Sequence, residues 1–427
     1  MAVLAVGCQK TEIQNEVQNQ IGFSTETGKM TRAIVQDGTY LPTQPFAVYA
    51  YGYQLETVTL EGQEVTQRKN GTTSTPMVNV EISCDDNNTP TTYTDDIWSA
   101  TGTTKYYWPN DPRTRLDFYA YSPAQDGTAT AAHQQLTCDI SHSEQENPND
   151  LEYGLVLSEY VHSNMYVDFM VATPITGATY SNQTVGTGNT AKSGVVSLDF
   201  KHEMTQINFV VKLDAAETTN GGVVTSTDNK YPNIDFTIKS IVLNNIVSGA
   251  TYKYNDPNQS TTGLRWTPTQ NAISSYMIYP ATTASTRDSG EFSNSNGAPD
   301  LTNEDANGIE KTVVLRTDNR QVNEGEVCPG YKFSTTPVTM IPQAWNTTPL
   351  SPQSFTITYE ISGEGVATEE IVKTFNFNAA TNSAHNWVAN KKITYTLTIG
   401  LREITFSPSV STWDELTGSY TDDPSNV

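Results

Sequence analysis

The sequence has few cysteines, few histidines and no long apolar run, and each shortage narrows what the protein can be. Its four cysteines are Cys8, Cys84, Cys138 and Cys328, and the absence of a CxxC pair argues against a zinc or dithiol redox motif. Pairing of Cys84 with Cys138 stays open, because spacing does not assign connectivity. No run of 18 apolar residues occurs, so the sequence predicts no membrane-spanning helix.

Positive charge is also scarce. There are 24 lysines and arginines against 47 aspartates and glutamates, which gives a formal net charge of -23. A chain of this charge repels the phosphate backbone, so we do not expect nucleic acid as a partner. High acidity instead suits an exported surface protein that must stay soluble.

Motifs of catalysis and metal binding are missing as well. HEMTQ at 202–206 lacks the second histidine of HExxH, and neither a GxSxG elbow nor a P-loop is present. The five histidines show no metal-ligand spacing, and the acidic stretch CDDNN (84–88) departs from the calcium-loop pattern. We therefore expect no catalytic residue, cofactor or metal, and no enzymatic activity.

Aromatic and turn-forming residues are abundant. The 22 Tyr, 13 Phe and 6 Trp supply bulky core material, although apolar residues make up only 36% of the chain. Apolar residues alternate with polar ones, which is typical of half-buried strands, over 196–200, 207–213, 355–361 and 393–401. Because one-sided burial suits antiparallel pairing, we predict an all-β fold of mainly antiparallel sheets packed as sandwiches.

The first residues read MAVLAVGC and are followed directly by a polar segment. Apolar and small residues that end in cysteine are typical of a bacterial lipoprotein signal, whose cleavage leaves an acylated cysteine. The basic n-region of such a signal is missing, so we expect its start to lie upstream. We predict that residues 1–8 are this signal and that Cys8 carries the lipid that anchors the protein to the outer membrane.

Several motifs, taken in chain order, resemble the fimbrillins, which are type V pilins and fimbrillin-like outer-membrane lipoproteins. Each is loose alone, and together they span nearly the whole chain. They are LAVGC (4–8), IGFST (21–25), MTRA (30–33), PFAVYAYG (45–52), KYYWPNDPRTRLDFYAYSP (105–123), VDFMVA (167–172), VSLDFKHEMTQINFVV (196–211), IKSIVLNNIVSGATY (238–252), VTMIPQ (338–343) and ITYTLTIGLREITFSPSVSTW (393–413).

The resemblance implies two transthyretin-like antiparallel β-sandwich domains in tandem. Residues 9–32 would be a tether and first strand, residues 33–192 the N-terminal sandwich, and residues 193–427 the C-terminal sandwich with an acidic tail. A small, Gly-rich stretch at 184–194 supports a boundary there.

The resemblance also implies an assembly route for a structural subunit, stalk or tip, of a cell-surface fimbria. An arginine-specific protease would cut between Arg32 and Ala33 and remove the first strand with Ile21 and Phe23. A strand from another pilin subunit would fill the opened groove by β-augmentation, and such a head-to-tail contact builds a filament. The candidate donor residues of the C-terminal strands are Ile399, Leu401, Ile404 and Phe406.

Two alternatives to a polymerising subunit remain open. An uncleaved surface lipoprotein would serve as a pilus anchor, with Ile21 and Phe23 in a permanent edge strand. A glycan-binding module would capture a host or glycan ligand on exposed aromatic side chains, with Trp98 and Trp108 as candidates. The tail at 414–427 is acidic and poor in apolar residues, so it makes a weak donor strand.

Overall fold

A computed structural model of the chain describes residues 20–25, 45–69, 74–85, 97–124, 139–142, 155–162, 165, 167–185, 192–214, 216–220, 223–228, 234–254, 265–269, 272–279, 313–315, 332–334, 338–345, 352–377, 386–401 and 404–412. All regular structure in these residues is β, which confirms the predicted all-β class. No helix among them has the length and apolar character needed to cross a membrane.

The strands are β1 (Gly22–Thr25), β2 (Phe46–Leu60), β3 (Gln63–Arg68), β4 (Ser74–Asp85), β5 (Ile97–Ala100), β6 (Thr114–Ser122), β7 (Asp139–His142), β8 (Leu155–Val161), β9 (Met170–Ala172), β10 (Ile175–Ala178), β11 (Thr184–Val185), β12 (Lys192–Ser193), β13 (Val195–Leu198), β14 (Phe200–His202), β15 (Thr205–Leu213), β16 (Ala216–Asn220), β17 (Val223–Asp228), β18 (Ile234–Val247), β19 (Gly249–Lys253), β20 (Trp266–Pro268), β21 (Ile273–Tyr279), β22 (Val313–Leu315), β23 (Lys332–Ser334), β24 (Val338–Met340), β25 (Ser354–Gly363), β26 (Val366–Asn376), β27 (Lys391–Ile399) and β28 (Ile404–Thr412).

The described residues group into two compact units that interleave along the chain. Unit 1 comprises those within Met1–His133, Glu144–Gly154 and Phe169–Lys201, and unit 2 those within Gln134–Ser143, Leu155–Asp168 and His202–Val427. The domain limits inferred from the sequence, 33–192 and 193–427, remain a prediction.

Unit 1 is built on a sheet with strand order β13-β1-β5-β4-β2-β6-β9, with β3 beside β2 and β10 beside β6. Its core gathers aromatic side chains from strands that are distant in sequence. Phe46 of β2 lies 5.1 Å from Trp98 of β5, measured between ring centroids. Trp108 lies 5.7 Å from Phe118 of β6 in an edge-to-face contact. Edge-to-face rings add favourable electrostatics to the apolar burial.

Unit 2 contains two sheets that contribute to one core. One has the order β23-β15-β27-β28 with β24 beside β15, and the other β21-β18-β25-β26 with β22 beside β18. Phe209 of β15 and Phe355 of β25 join the two sheets with ring centroids 5.2 Å apart, and Tyr395 of β27 lies 6.0 Å from Phe355. A further sheet of this unit has the order β20-β19-β8-β7.

The alternation argument predicted several of these strands well. Buried residues recur at every second position in β15, β25 and β27, as expected for strands with one face on a core. The predicted strand through Leu401 is wrong at its end, since β27 stops at Ile399 and Leu401 is an exposed turn residue before β28.

Two strand pairs are exceptions to the predicted antiparallel pairing. β1 runs parallel to β13, and β15 runs parallel to β27 along nine residue pairs. Parallel neighbours need a long connection, and both pairs join segments far apart in the chain. Alternation in one strand carries no information about the direction of its neighbour, so the sequence could not reveal these pairs.

Candidate functional site

The predicted first strand is an inner strand of the unit 1 sheet. β1 lies between β13, which it pairs in parallel over four residues, and β5, which it pairs at Phe23 opposite Trp98. A permanent edge strand, the alternative that the sequence left open, is therefore ruled out for Ile21 and Phe23.

Ile21 and Phe23 both point into the unit 1 core. They are only 4% and 5% exposed. The Phe23 ring makes edge-to-face contacts with Phe46 at 6.3 Å and with Phe118 at 6.1 Å. The short strand thus fills an apolar slot whose walls come from β2, β5, β6 and β13.

Backbone hydrogen bonds fix the register of β1 at its start. The Ile21 amide donates to the Tyr106 carbonyl at 2.8 Å, and the Gly22 amide donates to the Gly194 carbonyl at 3.1 Å. The same Gly194 carbonyl accepts the indole N–H of Trp108 at 3.0 Å. Gly194 has a φ of +78°, and a Cβ there would lie 2.6 Å from the Tyr180 ring, so only glycine fits.

The aromatic platform proposed for glycan capture is not formed by the predicted residues. Trp98 and Trp108 are 5% and 3% exposed and belong to the core around β1. Tyr107, between Tyr106 and Trp108, is 45% exposed. The glycan-binding alternative therefore loses its two candidate residues, because the chain directs both indoles into the core around β1.

Ser24 follows Phe23 in β1, so its side chain points to the opposite face of the strand, and its substitution tests what its hydroxyl contributes there. Its hydroxyl is buried and has no hydrogen-bond partner. Because a buried unsatisfied hydroxyl is unfavourable, we expect Ser24→Ala to leave the free energy of unfolding unchanged or raise it by up to about 1 kcal/mol. Urea unfolding of the two proteins measures this. A loss above about 1 kcal/mol would mean that the hydroxyl makes a stabilising contact.

The C-terminal candidate residues lie in unit 2. Ile399 ends β27, Ile404 begins β28, and both are buried. Phe406 lies in β28 opposite Leu397, and β28 is the last strand in the order of its sheet. Residues 404–407 read ITFS and residues 21–24 read IGFS, so the two strands share isoleucine, phenylalanine and serine at the same spacing.

Several predicted residues lie outside the described part of the chain. They are Cys8, Arg32, Ala33, Cys138, Cys328 and the tail at 414–427. Cys84 lies in β4, opposite Trp98 of β5. The lipid, cleavage and disulfide predictions therefore stay predictions.

A buried polar cluster in unit 2 was missed in the sequence. His202 Nδ1 contacts Asp168 Oδ2, and both side chains are 1% exposed. The neighbouring Glu203 forms an ion pair with Arg265, and its carbonyl accepts the Trp266 indole N–H at 2.7 Å. Burial raises the pKa of Glu203 to about 7, against the lowering effect of Arg265.

HEMTQ, which resembled part of a zinc motif, therefore contributes two buried ion-pair residues. In the described residues no group of three or more His, Cys, Asp or Glu could hold a metal ion. The only sequence signal of this cluster was the adjacent pair His202 and Glu203 between apolar strands. Their partners lie 34 and 62 residues away, so spacing alone could not identify them.

Most of the chain is similar to a known protein family. A family model described as Fimbrillin-like matches residues 63–413, which is 351 of the 427 residues. A fimbrial protein from Bacteroides vulgatus matches with 16% identity, 92% of this chain and 99% of that chain covered, and a TM-score of 0.49. The tip fimbrial protein Mfa3 from Porphyromonas gingivalis matches with 10% identity, 90% and 98% coverage, and a TM-score of 0.29. No curated protein matches the chain.

Proposed function

The chain belongs to the fimbrillin-like family, and on that premise we propose that it is a structural, non-enzymatic subunit of a cell-surface fimbria. In this proposal it is exported as an outer-membrane lipoprotein through Cys8 and forms two transthyretin-like sandwich domains. It joins other pilin subunits, as a stalk or tip subunit, by exchange of strands.

The observation that carries this proposal is the inner position of β1. An arginine-specific protease cutting between Arg32 and Ala33 would free residues up to Arg32, including Ile21 and Phe23. Loss of β1 would uncover the slot and leave the backbone edges of β13 and β5 unpaired. Exposed apolar floor and unpaired edges both favour the addition of a foreign strand.

The shared I-x-F-S pattern supports a C-terminal donor. Ile404 and Phe406 would take the places of Ile21 and Phe23, with Ile399 and Leu401 preceding them in the donor. β28 gives up nine residue pairs with β27 if it leaves its own sheet, whereas β1 makes four with β13 and one with β5. We therefore expect exchange by intact chains to be slow and a free ITFSPSV peptide to enter the slot faster.

An uncleaved anchor is the second candidate, and the close packing of β1 favours it. Ile21 and Phe23 are nearly fully buried. The intact chain would therefore leave no groove in the unit 1 sheet for a strand from another subunit to occupy. Retention of the lipid on Cys8 would then hold the protein at the outer membrane.

The deciding experiment compares the native chain with an Arg32→Gln variant. We expect the native protein isolated from fimbriae to begin at Ala33 by mass, and an arginine-specific protease to convert purified chains into polymers. The Arg32→Gln chain should remain uncut at that bond and monomeric by light scattering. Polymers from the variant, or a fimbrial protein that retains an acylated Cys8, would contradict assembly by removal of the first strand.

A further inference from the structure

An open groove lined by positive side chains lies in unit 1, apart from the β1 slot. Its volume is about 380 Å³, and it lies where the β2–β3 hairpin meets the residues just before β6. Lys69, Arg113 and Arg115 line it, with Glu56 as the one carboxylate among its lining residues. With Asp111, which pairs with Arg113, the three cations face two carboxylates, and this local excess of positive charge contrasts with the net charge of -23 on the whole chain.

The backbone around the groove is held by hydrogen bonds between its walls. The Leu55 amide donates to the Arg113 carbonyl at 3.0 Å, and the Lys69 amide donates to the Gln54 carbonyl at 2.9 Å. Both bonds join β2 to the chain segments that carry the cations. These hydrogen bonds fix the backbone that carries the cationic side chains, so little backbone ordering is needed when a ligand binds.

Both guanidinium groups are oriented by neighbours. Arg113 donates through Nε and Nη2 to the two carboxylate oxygens of Asp111 at 3.2 and 2.9 Å, which lowers the pKa of Asp111. Arg115 donates through Nη1 to the carbonyls of Pro112 and Thr114 at 2.6 and 3.0 Å. A guanidinium has five N–H donors, so these bonds engage two in each, and the remainder can receive an anion.

The rest of the lining suits a sugar. Thr57 and Thr66 are directly opposite each other in the β2–β3 hairpin, and both line the groove. Their hydroxyls can donate to and accept from sugar hydroxyls, while Leu55 and Pro112 offer apolar surface to the C–H face of a ring. The volume lies within the roughly 300–1,000 Å³ of small-molecule sites.

We propose that this groove binds an acidic saccharide whose carboxylate is held by Arg113 and Arg115. Lys69 supplies further positive charge, and the two threonines bind the sugar hydroxyls. The site is independent of strand exchange, because its lining comes from β2, β3 with the residue that follows it, and the start of β6 with the two residues that precede it, and includes none of the residues of β1.

Binding of defined sugars to the full-length chain tests the proposal. Sialyllactose and a short oligogalacturonate are the two acidic probes, and lactose is the neutral control. We expect at least one acidic probe to bind in calorimetry, with affinity that falls as salt rises, and lactose not to bind. The probe that binds identifies a sialic acid or a uronic acid as the acidic unit.

Paired variants connect any binding to the groove. Arg113→Gln with Arg115→Gln should weaken binding by about tenfold or more, since charge-assisted hydrogen bonds are lost. Lys201→Gln with Lys373→Gln changes the net charge equally at exposed sites elsewhere and should leave affinity unchanged. Equal thermal unfolding of both variants would show that the groove variant is folded.

Three outcomes would overturn the proposal. One is that neither acidic probe binds, and another is that both variant pairs lose affinity equally, as for diffuse attraction to positive charge. The third is that the acidic peptide DELTGSYTDDPSNV (414–427) binds and displaces the acidic probe, and that its binding, and not that of the sugar, depends on Arg113 and Arg115. That last result would assign the groove to the acidic tail of a second copy.

Discussion

Replacing Phe23 with alanine is expected to lower the free energy of unfolding of unit 1 by about 3–5 kcal/mol. The side chain is 5% exposed and closes an aromatic cluster with Phe46 and Phe118. Its removal leaves a cavity where three rings met, and neighbouring strands can collapse into it only partly. Urea unfolding followed by the fluorescence of Trp98 and Trp108, which lie in the same core, measures the loss.

The matched control is Val78→Ala in the same unit. Val78 lies in β4 and is 60% exposed, so its substitution should change the free energy of unfolding by no more than about 0.5 kcal/mol. If Phe23→Ala lowers the free energy of unfolding by less than about 1 kcal/mol, the ring does not pack in the slot as described. Such a loss would be far smaller than the usual cost of truncating a buried phenylalanine.

The same variant bears on assembly. If β1 is removed after the cut at Arg32, a β1 that packs less tightly should dissociate faster. Cut Phe23→Ala chains should therefore polymerise sooner than cut native chains. In an uncleaved anchor the variant would only unfold more easily. Stability and polymerisation rate measured on one preparation therefore distinguish the two candidate functions.

Sequence patterns predicted single strands well and their neighbours poorly. The alternation at Ile207, Phe209 and Val211 identified a strand and its buried face, because a half-buried strand must repeat every second residue. It could not show that β15 lies parallel to β27. Pairing between distant segments depends on the packing of the whole sheet, and it leaves no local signal.

In the candidate site, too, the sequence predicted the strand and did not predict its neighbours. The motif IGFST predicted a strand with Ile21 and Phe23 on one face, and both are buried, Phe23 within β1 and Ile21 just before it. The sequence did not show that β13 and β5 flank it, and it left open whether Trp98 and Trp108 face the core or the solvent. The sequence does not show whether an aromatic side chain faces the core or the solvent, since a protein core and a sugar-binding platform use the same side chains.

Replacing Arg265 with methionine is expected to lower the free energy of unfolding of unit 2 by about 1–2 kcal/mol more at pH 8 than at pH 5. Glu203 is 4% exposed, and its carboxylate would be left without its cation in the protein interior. Methionine keeps much of the apolar stem that arginine contributes, so most of the loss should come from the charge. Urea unfolding at fixed ionic strength measures it.

The loss should shrink at pH 5, and the sign follows from the pKa of Glu203. Burial raises that pKa from 4.5 to about 7, so the folded state favours the protonated acid. The contribution of Glu203 to the free energy of unfolding is fully present below pH 4.5 and is lost as the pH rises through 7. At pH 5 Glu203 is largely neutral and tolerates the loss of Arg265, whereas at pH 8 the variant must either protonate Glu203 or bury its charge without the arginine, and both cost free energy.

Two further variants separate charge from packing. Lys239→Met breaks the more exposed ion pair with Glu360 and should cost no more than about 1 kcal/mol at either pH. Glu203→Gln combined with Arg265→Met removes both charges, so its stability should no longer change between pH 5 and pH 8 through this pair. Arg265 also stacks over the Tyr254 ring at 4.2 Å. An equal loss for Arg265→Met at both pH values would therefore assign its role to that stacking and not to Glu203.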